Sequence, residues 1–278
     1  IASKGYGDLW ICDLLSEVPN CRPLYRHPTK RYFYPPTADT LGHYILSGDI
    51  AAGKAFLIPL DGSQTRFLDG FDFSVPATAL SPDARWAALG GFSNKLDPPS
   101  SLIRIWELET DEIQDLVYDG SHEIRGLWFL PDRKVLASSK TGLRIWDLAS
   151  DDFEILSERA HLNLGAFDSS KRFLVIDTPE GVTFWDLAER TERILPIPSP
   201  TMWNLDLAPD ASFVVAGMDN GEVQFHSLET GATHLLLGHE KAAAGVQVMA
   251  GGKKIMSASI DGTVRLWDVP QGPPLHTR

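Results

Sequence analysis

A segment that recurs at intervals of 39 to 48 residues constrains this chain more than any other feature. It consists of a turn, often with glycine, a β-branched or aliphatic run, then Trp, an acidic residue and Leu or Val. It reads DLWICDL at residues 8–14, LIRIWEL at 102–108, GLRIWDL at 142–148, GVTFWDL at 181–187 and GTVRLWDV at 262–269. Two weaker copies, AFLIPL at 55–60 and GEVQFHSL at 221–228, fill the gaps. With the Trp position as marker, the slots fall at residues 10, 58, 106, 146, 185, 225 and 267. Five of the eight tryptophans occupy this slot, so the period is a property of the fold.

A second recurrence precedes the later slots. Turns at 81–83 (SPD), 130–132 (LPD), 168–170 (DSS) and 208–210 (APD) each lead into a short apolar run. Every unit therefore holds about four short strands, and no useful length of helical periodicity interrupts them. The 23 glycines and 19 prolines punctuate the apolar runs, as many turns require. One four-stranded sheet cannot bury both faces alone. Radial stacking between two like sheets buries both and leaves only short edges, so the expected class is an all-β propeller.

The period and the Trp-Asp ending resemble the WD40-repeat family, and the likeness covers the whole chain. The closest copy is the last unit, opened by Gly238-His239 and closed by residues 261–268 (DGTVRLWD). The resemblance implies a hydrogen-bonded set of His239, Ser259, Asp261 and Trp267 that stiffens this blade. Partners are physically necessary, since a buried His or Asp is tolerable only when hydrogen-bonded. In other units Lys140 takes the turn Asp position and Phe225-His226 replaces Trp-Asp, so the set should be incomplete there.

The expected organisation is a single domain over residues 1–278. Six near-complete repeats start at about residue 30, and a partial repeat covers 1–29. In that partial repeat residues 6–13 read as a third strand and 22–26 as a fourth, with the first two expected upstream of residue 1. This describes seven blades with the first truncated; the alternative is a six-bladed ring that residues 6–13 complete. The absence of an initiating Met fits a segment of a longer protein. Cys12 and Cys21 flank an expected strand-to-strand loop, and both a disulfide and two reduced thiols are open readings.

The formal charge of −12 disfavours a phosphate-tracking surface and an anionic membrane surface, so neither nucleic acid nor membrane is an expected partner. No catalytic motif is complete. Residues 48–55 (GDIAAGKA) fall one residue short of a P-loop, because Ala55 stands where Ser or Thr would bind Mg²⁺; a hairpin loop is expected instead. His122-Glu123 and His239-Glu240 lack the second His of a zinc protease helix, and no Cys-x-x-Cys pair exists. No cofactor and no metal are expected.

Recognition should then sit on loops of a rigid scaffold. The family's usual contact face carries the loops that enter each first strand and those that precede the turn Asp. The resemblance maps these loops to Ser74 and Pro76, Glu123 and Arg125, His161 and Asn163, Thr201 and Trp203, and Ala242 and Ala244. It adds Met218 and Ile260, with Lys30 and Tyr32 in the irregular first unit. The expected patch joins Trp203, Met218 and Ile260, with Arg125 orienting an acidic group; Trp203 as buried core is the alternative. Residues 92–101 read as a surface insertion. The implied function is a non-catalytic, cytoplasmic protein-interaction scaffold, monomeric or within a larger complex. The chain also resembles bacterial WD40 arrays that follow signalling domains. The alternative is therefore the sensor portion of a signalling enzyme such as a Ser/Thr kinase, and a propeller enzyme or small-ligand binder is a third reading.

Overall fold

The computed structural model describes residues 2–3, 8–13, 20–26, 36–49, 53–69, 71–72, 74–93, 96–97, 99–118, 123–159, 164–198, 201–249 and 251–270. Alternating apolar runs and tight turns make every regular element among them a strand, and antiparallel pairing joins the strands into seven sheets. The backbone clusters into two compact units, Ile1–Glu158 and Arg159–Arg278.

The first unit opens with β1 (Ala2–Ser3), β2 (Asp8–Asp13) and β3 (Asn20–Arg26), paired in that order. Next comes a sheet of β4 (Thr37–Ala38), β5 (Tyr44–Gly48), β6 (Ala55–Pro59) and β7 (Arg66–Leu68). The third sheet holds β8 (Ala77–Leu80), β9 (Trp86–Ser93), β10 (Ser100–Glu107) and β11 (Ile113–Tyr118). The fourth holds β12 (Ile124–Leu130), β13 (Lys134–Ser139), β14 (Gly142–Asp147) and β15 (Phe153–Ser157). In the second unit, β16 (Gly165–Phe167), β17 (Phe173–Thr178), β18 (Gly181–Asp186) and β19 (Thr191–Leu195) form one sheet. A second contains β20 (Met202–Leu207), β21 (Phe213–Met218), β22 (Val223–Ser227) and β23 (Thr233–Leu236), and the last contains β24 (Ala243–Val248), β25 (Lys254–Ser259) and β26 (Val264–Asp268). These up-and-down antiparallel sheets make the described residues all-β and are of the kind that form propeller blades, the expected class.

Sheets that are apolar on both faces pack face to face within each unit. In β13 the five residues from Val135 to Ser139 are all buried. Ile103, Ile105, Tyr118, Ile124, Leu127, Val135 and Trp146 form one core between the third and fourth sheets. Val175, Val182, Leu195, Leu205, Val214 and Met218 form the corresponding core in the second unit. One face of the last sheet is open: Val264 and Leu266 are exposed, where the matching Leu143 and Ile145 of β14 are buried.

Polar latches join neighbouring sheets at the end that carries their first and third turns. From the fourth strands, Arg66 Nη1 donates to Leu108 O (2.7 Å) and Arg193 Nη2 donates to Leu228 O (3.1 Å), each reaching the turn that closes the next third strand. Arg66 also lies 4.4 Å over the Trp106 ring. At the first turn of each sheet, Thr40 donates to Pro82 O (2.8 Å) and Ser169 Oγ to Pro209 O (2.7 Å). Such bonds satisfy turn carbonyls and fix the stagger of one sheet on the next.

Several expectations need correction. Residues 2–3 already form a strand beside β2, with Ala2 opposite Trp10, so one strand expected upstream of the chain lies within it. Two markers also shift. β2 ends at Asp13 as β14 ends at Asp147 and β18 at Asp186, which puts Cys12, not Trp10, in the Trp slot. Leu228 N donates to Ser212 O (2.9 Å), as Leu148 N does to Arg133 O (3.0 Å), so His226, not Phe225, takes the slot in β22. Counting back from the turn settles the register, whereas matching aromatic to aromatic shifts it. The slots then fall at 12, 58, 106, 146, 185, 226 and 267.

Cys12 and Cys21 are direct backbone partners across β2 and β3, but their side chains lie outside the described residues. Gly48 pairs with Ala55 at the mouth of the β5–β6 hairpin, so the P-loop-like segment joins two strands. The insertion continues β9 and β10 as paired strands, Ser93 opposite Ser100. Residues 271–274 (QGPP), which stand in the sequence where most of the last outer strand would be, lie outside the described residues.

Close approach of neighbouring sheets makes glycine obligatory at Gly217, as it does at Gly48 beside Val75 O. A Cβ on Gly217 would stand 2.3 Å from Ala243 O on the next first strand. Gly217→Ala should cost about 2–3 kcal/mol, because backbone must move to admit the methyl group. Ala211, by contrast, sits at φ +56° in a first turn where the last sheet has Gly252 at φ +68°. Ala211→Gly should add up to about 1 kcal/mol by removing left-handed strain, less the entropy that glycine brings to the unfolded chain. Chemical denaturation of both variants checks the opposite signs.

Candidate functional site

The last sheet shows how this fold makes buried polar groups tolerable. The His239 ring is buried against Trp267, with ring centroids 6.1 Å apart. Its Nδ1 lies 3.0 Å from Asp261 Oδ2, and its Nε2 lies 2.8 Å from Ser257 Oγ. Trp267 Nε1 donates to the same Ser257 oxygen at 2.8 Å. A carboxylate only accepts, so Nδ1 carries the proton toward Asp261, and Nε2 of the neutral ring accepts from Ser257. The chain runs from indole to hydroxyl to imidazole to carboxylate.

Ser259 is therefore the wrong serine. Ser257 and Ser259 share a face of β25 at a spacing of two, but Ser257 lies two residue pairs from the Ile255–Trp267 pair, within reach of the indole, and Ser259 lies two places further on. Ser259 fixes the turn instead, because its Oγ donates to Lys241 O (2.9 Å) and accepts from Asp261 N (3.0 Å). The Asp261 carboxyl is held far below the ordinary carboxylate range. The Thr263 hydroxyl is the largest cause; desolvation opposes it, and the amides of Glu240 and Thr263 and the His239 ring add to it.

Other sheets solve the same problem differently. In the fourth sheet Thr141 N donates to Ser139 Oγ, as Asp261 N does to Ser259, so Thr141, not Lys140, stands at the Asp position. Ser139 donates to the Tyr118 hydroxyl (2.8 Å), which lies 3.3 Å from Gly142 O. In β22 the buried His226 places Nδ1 2.9 Å from the Thr233 hydroxyl, and burial followed by the nearby Arg193 charge lowers its pKa. Trp185 Nε1 is buried with no hydrogen-bond partner.

The mapped recognition positions share a structural device. Pairing skips one residue near the start of three first strands: Arg125 in β12, Trp203 in β20 and Ala244 in β24. Such a bulge re-aims the side chain out of the regular alternation. Trp203 is 50% exposed, Thr201 beside it is exposed, and Ile260 in the next sheet is 52% exposed. Met218 does not join them. It is opposite Met202 and lies in the core with Val175 and Val182, 2% exposed. Asp219 N donates to Thr201 O (2.8 Å), as Ile260 N does to Ala242 O (3.1 Å), so Asp219 is the counterpart of Ile260. Aligning Gly221 with Gly262 in the sequence would have exposed this one-residue slip.

In the first unit, Glu123 is exposed and Arg125 lies 3.9 Å from it, with its Nε buried and unpartnered. Ser74 and Pro76 are half-buried; Lys30, Tyr32, His122, His161 and Asn163 lie outside the described residues. Among the described residues no group of three or more His, Cys, Asp or Glu side chains could hold a metal ion.

Removal of Ser257 strands both the Trp267 N–H and a ring nitrogen of His239. Ser257→Ala should cost about 2–3 kcal/mol, against about 1 kcal/mol for Ser259→Ala, whose bonds lie at the surface. Denaturant unfolding separates the two. Two pH trends follow. Below about pH 6.5 the unfolded chain binds a proton that buried His226 resists, so stability falls as pH drops through that value. His226→Phe should flatten this slope between about pH 7 and 5 in thermal melts. The Asp261 contribution is full above the ordinary carboxylate pKa and is lost only as pH falls below it.

Residues 232–268 match the family model described as "WD domain, G-beta repeat", and this span contains His239, Ser257, Asp261 and Trp267. A chicken (Gallus gallus) serine-threonine kinase receptor-associated protein is 26% identical over 208 residues, covering 71% of this chain and 56% of the relative. The mouse (Mus musculus) target of rapamycin complex subunit LST8 is 24% identical over 224 residues, covering 74% and 66% respectively. A Dictyostelium discoideum serine-threonine kinase receptor-associated protein is 32% identical over 127 residues, 45% of this chain and 43% of its own. The chain thus spans between about two fifths and two thirds of the length of these relatives. With the recurring four-stranded sheets and the polar chain of the last one, these matches make the chain similar to WD-repeat proteins, and residues 232–268 match one WD repeat.

Proposed function

We propose that this chain is a non-catalytic binding platform that holds a protein or peptide partner on the loops beside its bulged first strands. One observation carries the reading: Trp203 is half exposed on a β-bulge that is tied into the sheet on both sides. Exposing a large aromatic side chain forgoes the gain of burying it, and a rigid indole that a partner can cover is the usual anchor of an interface. Thr201, Asp219 and Ile260 surround the same end of the second unit with polar and aliphatic contacts. The names of two relatives, one receptor-associated and one a complex subunit, support a role through association.

The test is affinity capture from an extract of the source cells with the full chain and with Trp203→Ala. The variant should keep its circular dichroism and melting temperature and lose tens-fold in affinity for the retained partner, as expected for a hot-spot truncation. Equal capture by both proteins would overturn the reading.

A further inference from the structure

Charge is distributed unevenly between the two ends of the second unit. The end with the first and third turns pairs its charges. Arg172 holds Asp186 at 2.6 Å and Glu189 at 3.8 Å, and Lys254 holds Asp268 at 2.6 Å. The opposite end, where Trp203 lies, carries Glu180, Asp219, Glu222, Glu240 and Asp261; its cations among the described residues are Lys241, Arg265, whose guanidinium lies against Gly238 and over Trp267, and Arg159, which pairs with Glu192. Asp261 is spent inside the blade on His239 and Thr263. Among the described residues, none of the other four carboxylates makes an ion pair or a side-chain hydrogen bond.

The turns at this end touch one another. Asp219 N bonds Thr201 O, two residues before Trp203. A Cβ on Gly221 would stand 2.7 Å from His239 O and 2.9 Å from Lys241 O, so the 219–221 turn packs on the segment bearing Glu240. Unpaired carboxylates gathered on one rim repel each other and attract a cation.

The aromatic rings add a second, independent pointer. In this unit Lys171 lies over Phe167 (4.9 Å), Arg172 over Phe173 (4.9 Å), Arg193 over Phe184 (5.2 Å) and Arg265 over Trp267 (6.0 Å). Among the described residues no cation of the chain lies over Trp203, although indole is the strongest such acceptor.

We propose that this face binds an extended basic peptide, with an arginine or lysine head group over the Trp203 ring and the carboxylates of Asp219 and Glu240 beside it. The proposal rests on the binding-platform reading and specifies the partner's chemistry. The half-exposed ring supplies a π surface and the carboxylates steer the cation to it, so binding should weaken with salt.

The experiment pans a phage-displayed random dodecapeptide library against the full chain. Selected peptides are then synthesised and measured by calorimetry at low and at raised salt, about 50 and 300 mM. Selected sequences should be rich in Arg or Lys, and alanine at the key cation should cost about tenfold in affinity. Trp203→Ala should cost at least as much and Trp203→Phe less. Asp219→Asn and Glu240→Gln should each cost about two- to fivefold and flatten the salt dependence. Glu229→Gln, an exposed acid at the opposite end, should change nothing. Uncharged or acidic peptides that still require Trp203 would overturn the basic-peptide inference and leave the platform reading standing. Peptides indifferent to Trp203→Ala, or no selected peptide at all, would overturn both.

Discussion

A strand that is apolar on both faces needs cover on both, and most of what this structure does answers that requirement. Residues such as Val135 to Ser139 of β13 or Ser100 to Ile103 of β10 have no face to give to water. A helix packed on one side would leave the other wet, whereas another sheet of the same kind solves the problem on each side and then poses it again. The repeat in the sequence and the stacking of sheets are therefore one constraint seen at two scales. Gly217 marks how close that stacking is, because its neighbour across the gap is a backbone carbonyl.

Tight stacking makes polar groups at the sheet contacts expensive unless they are paired. The last sheet pairs them through Trp267, Ser257, His239 and Asp261. The fourth uses Tyr118, Ser139 and Thr141, and β22 seats His226 against Thr233. These are different residues meeting one demand, which is why the repeat survives while its signature erodes. On the binding-platform reading proposed above, the same rigidity would serve recognition. A bulge in a well-held strand can offer Trp203 outward without the entropy of a free loop.

Much of the fold is legible in the sequence, but its register is not. The period, the all-β class and the four-strand unit follow from the spacing of Trp-Asp endings and Ser-Pro-Asp turns, because apolar pattern and turn chemistry are local. Sequence and structure part where one residue decides which way a side chain points. The sequence pattern favours Ser259 over Ser257, Met218 over Asp219, Phe225 over His226 and Trp10 over Cys12, and the structure reverses each. A one-place slip such as Phe225 for His226 puts the side chain on the opposite side of the strand, whereas Ser257 and Ser259, two places apart, share a face and differ in the cross-strand neighbour each meets. Turns with three residues between Ser259 and Thr263 but two between Ser139 and Gly142 shift the count unpredictably.

By itself the sequence determined that the chain must build repeated, two-faced sheets and that the last unit holds a His, an Asp and a Trp needing polar partners. Hydrophobic periodicity and composition are enough for that, since they state what must be buried. Only tertiary structure decided which serine completes the hydrogen-bonded chain, that Met218 is core while Trp203 is half exposed, and that the carboxylates around Trp203 lack partners. The reason is physical: exposure and pairing depend on turn length, bulges and the neighbouring sheet, which bring together residues about 40 positions apart that no local pattern connects.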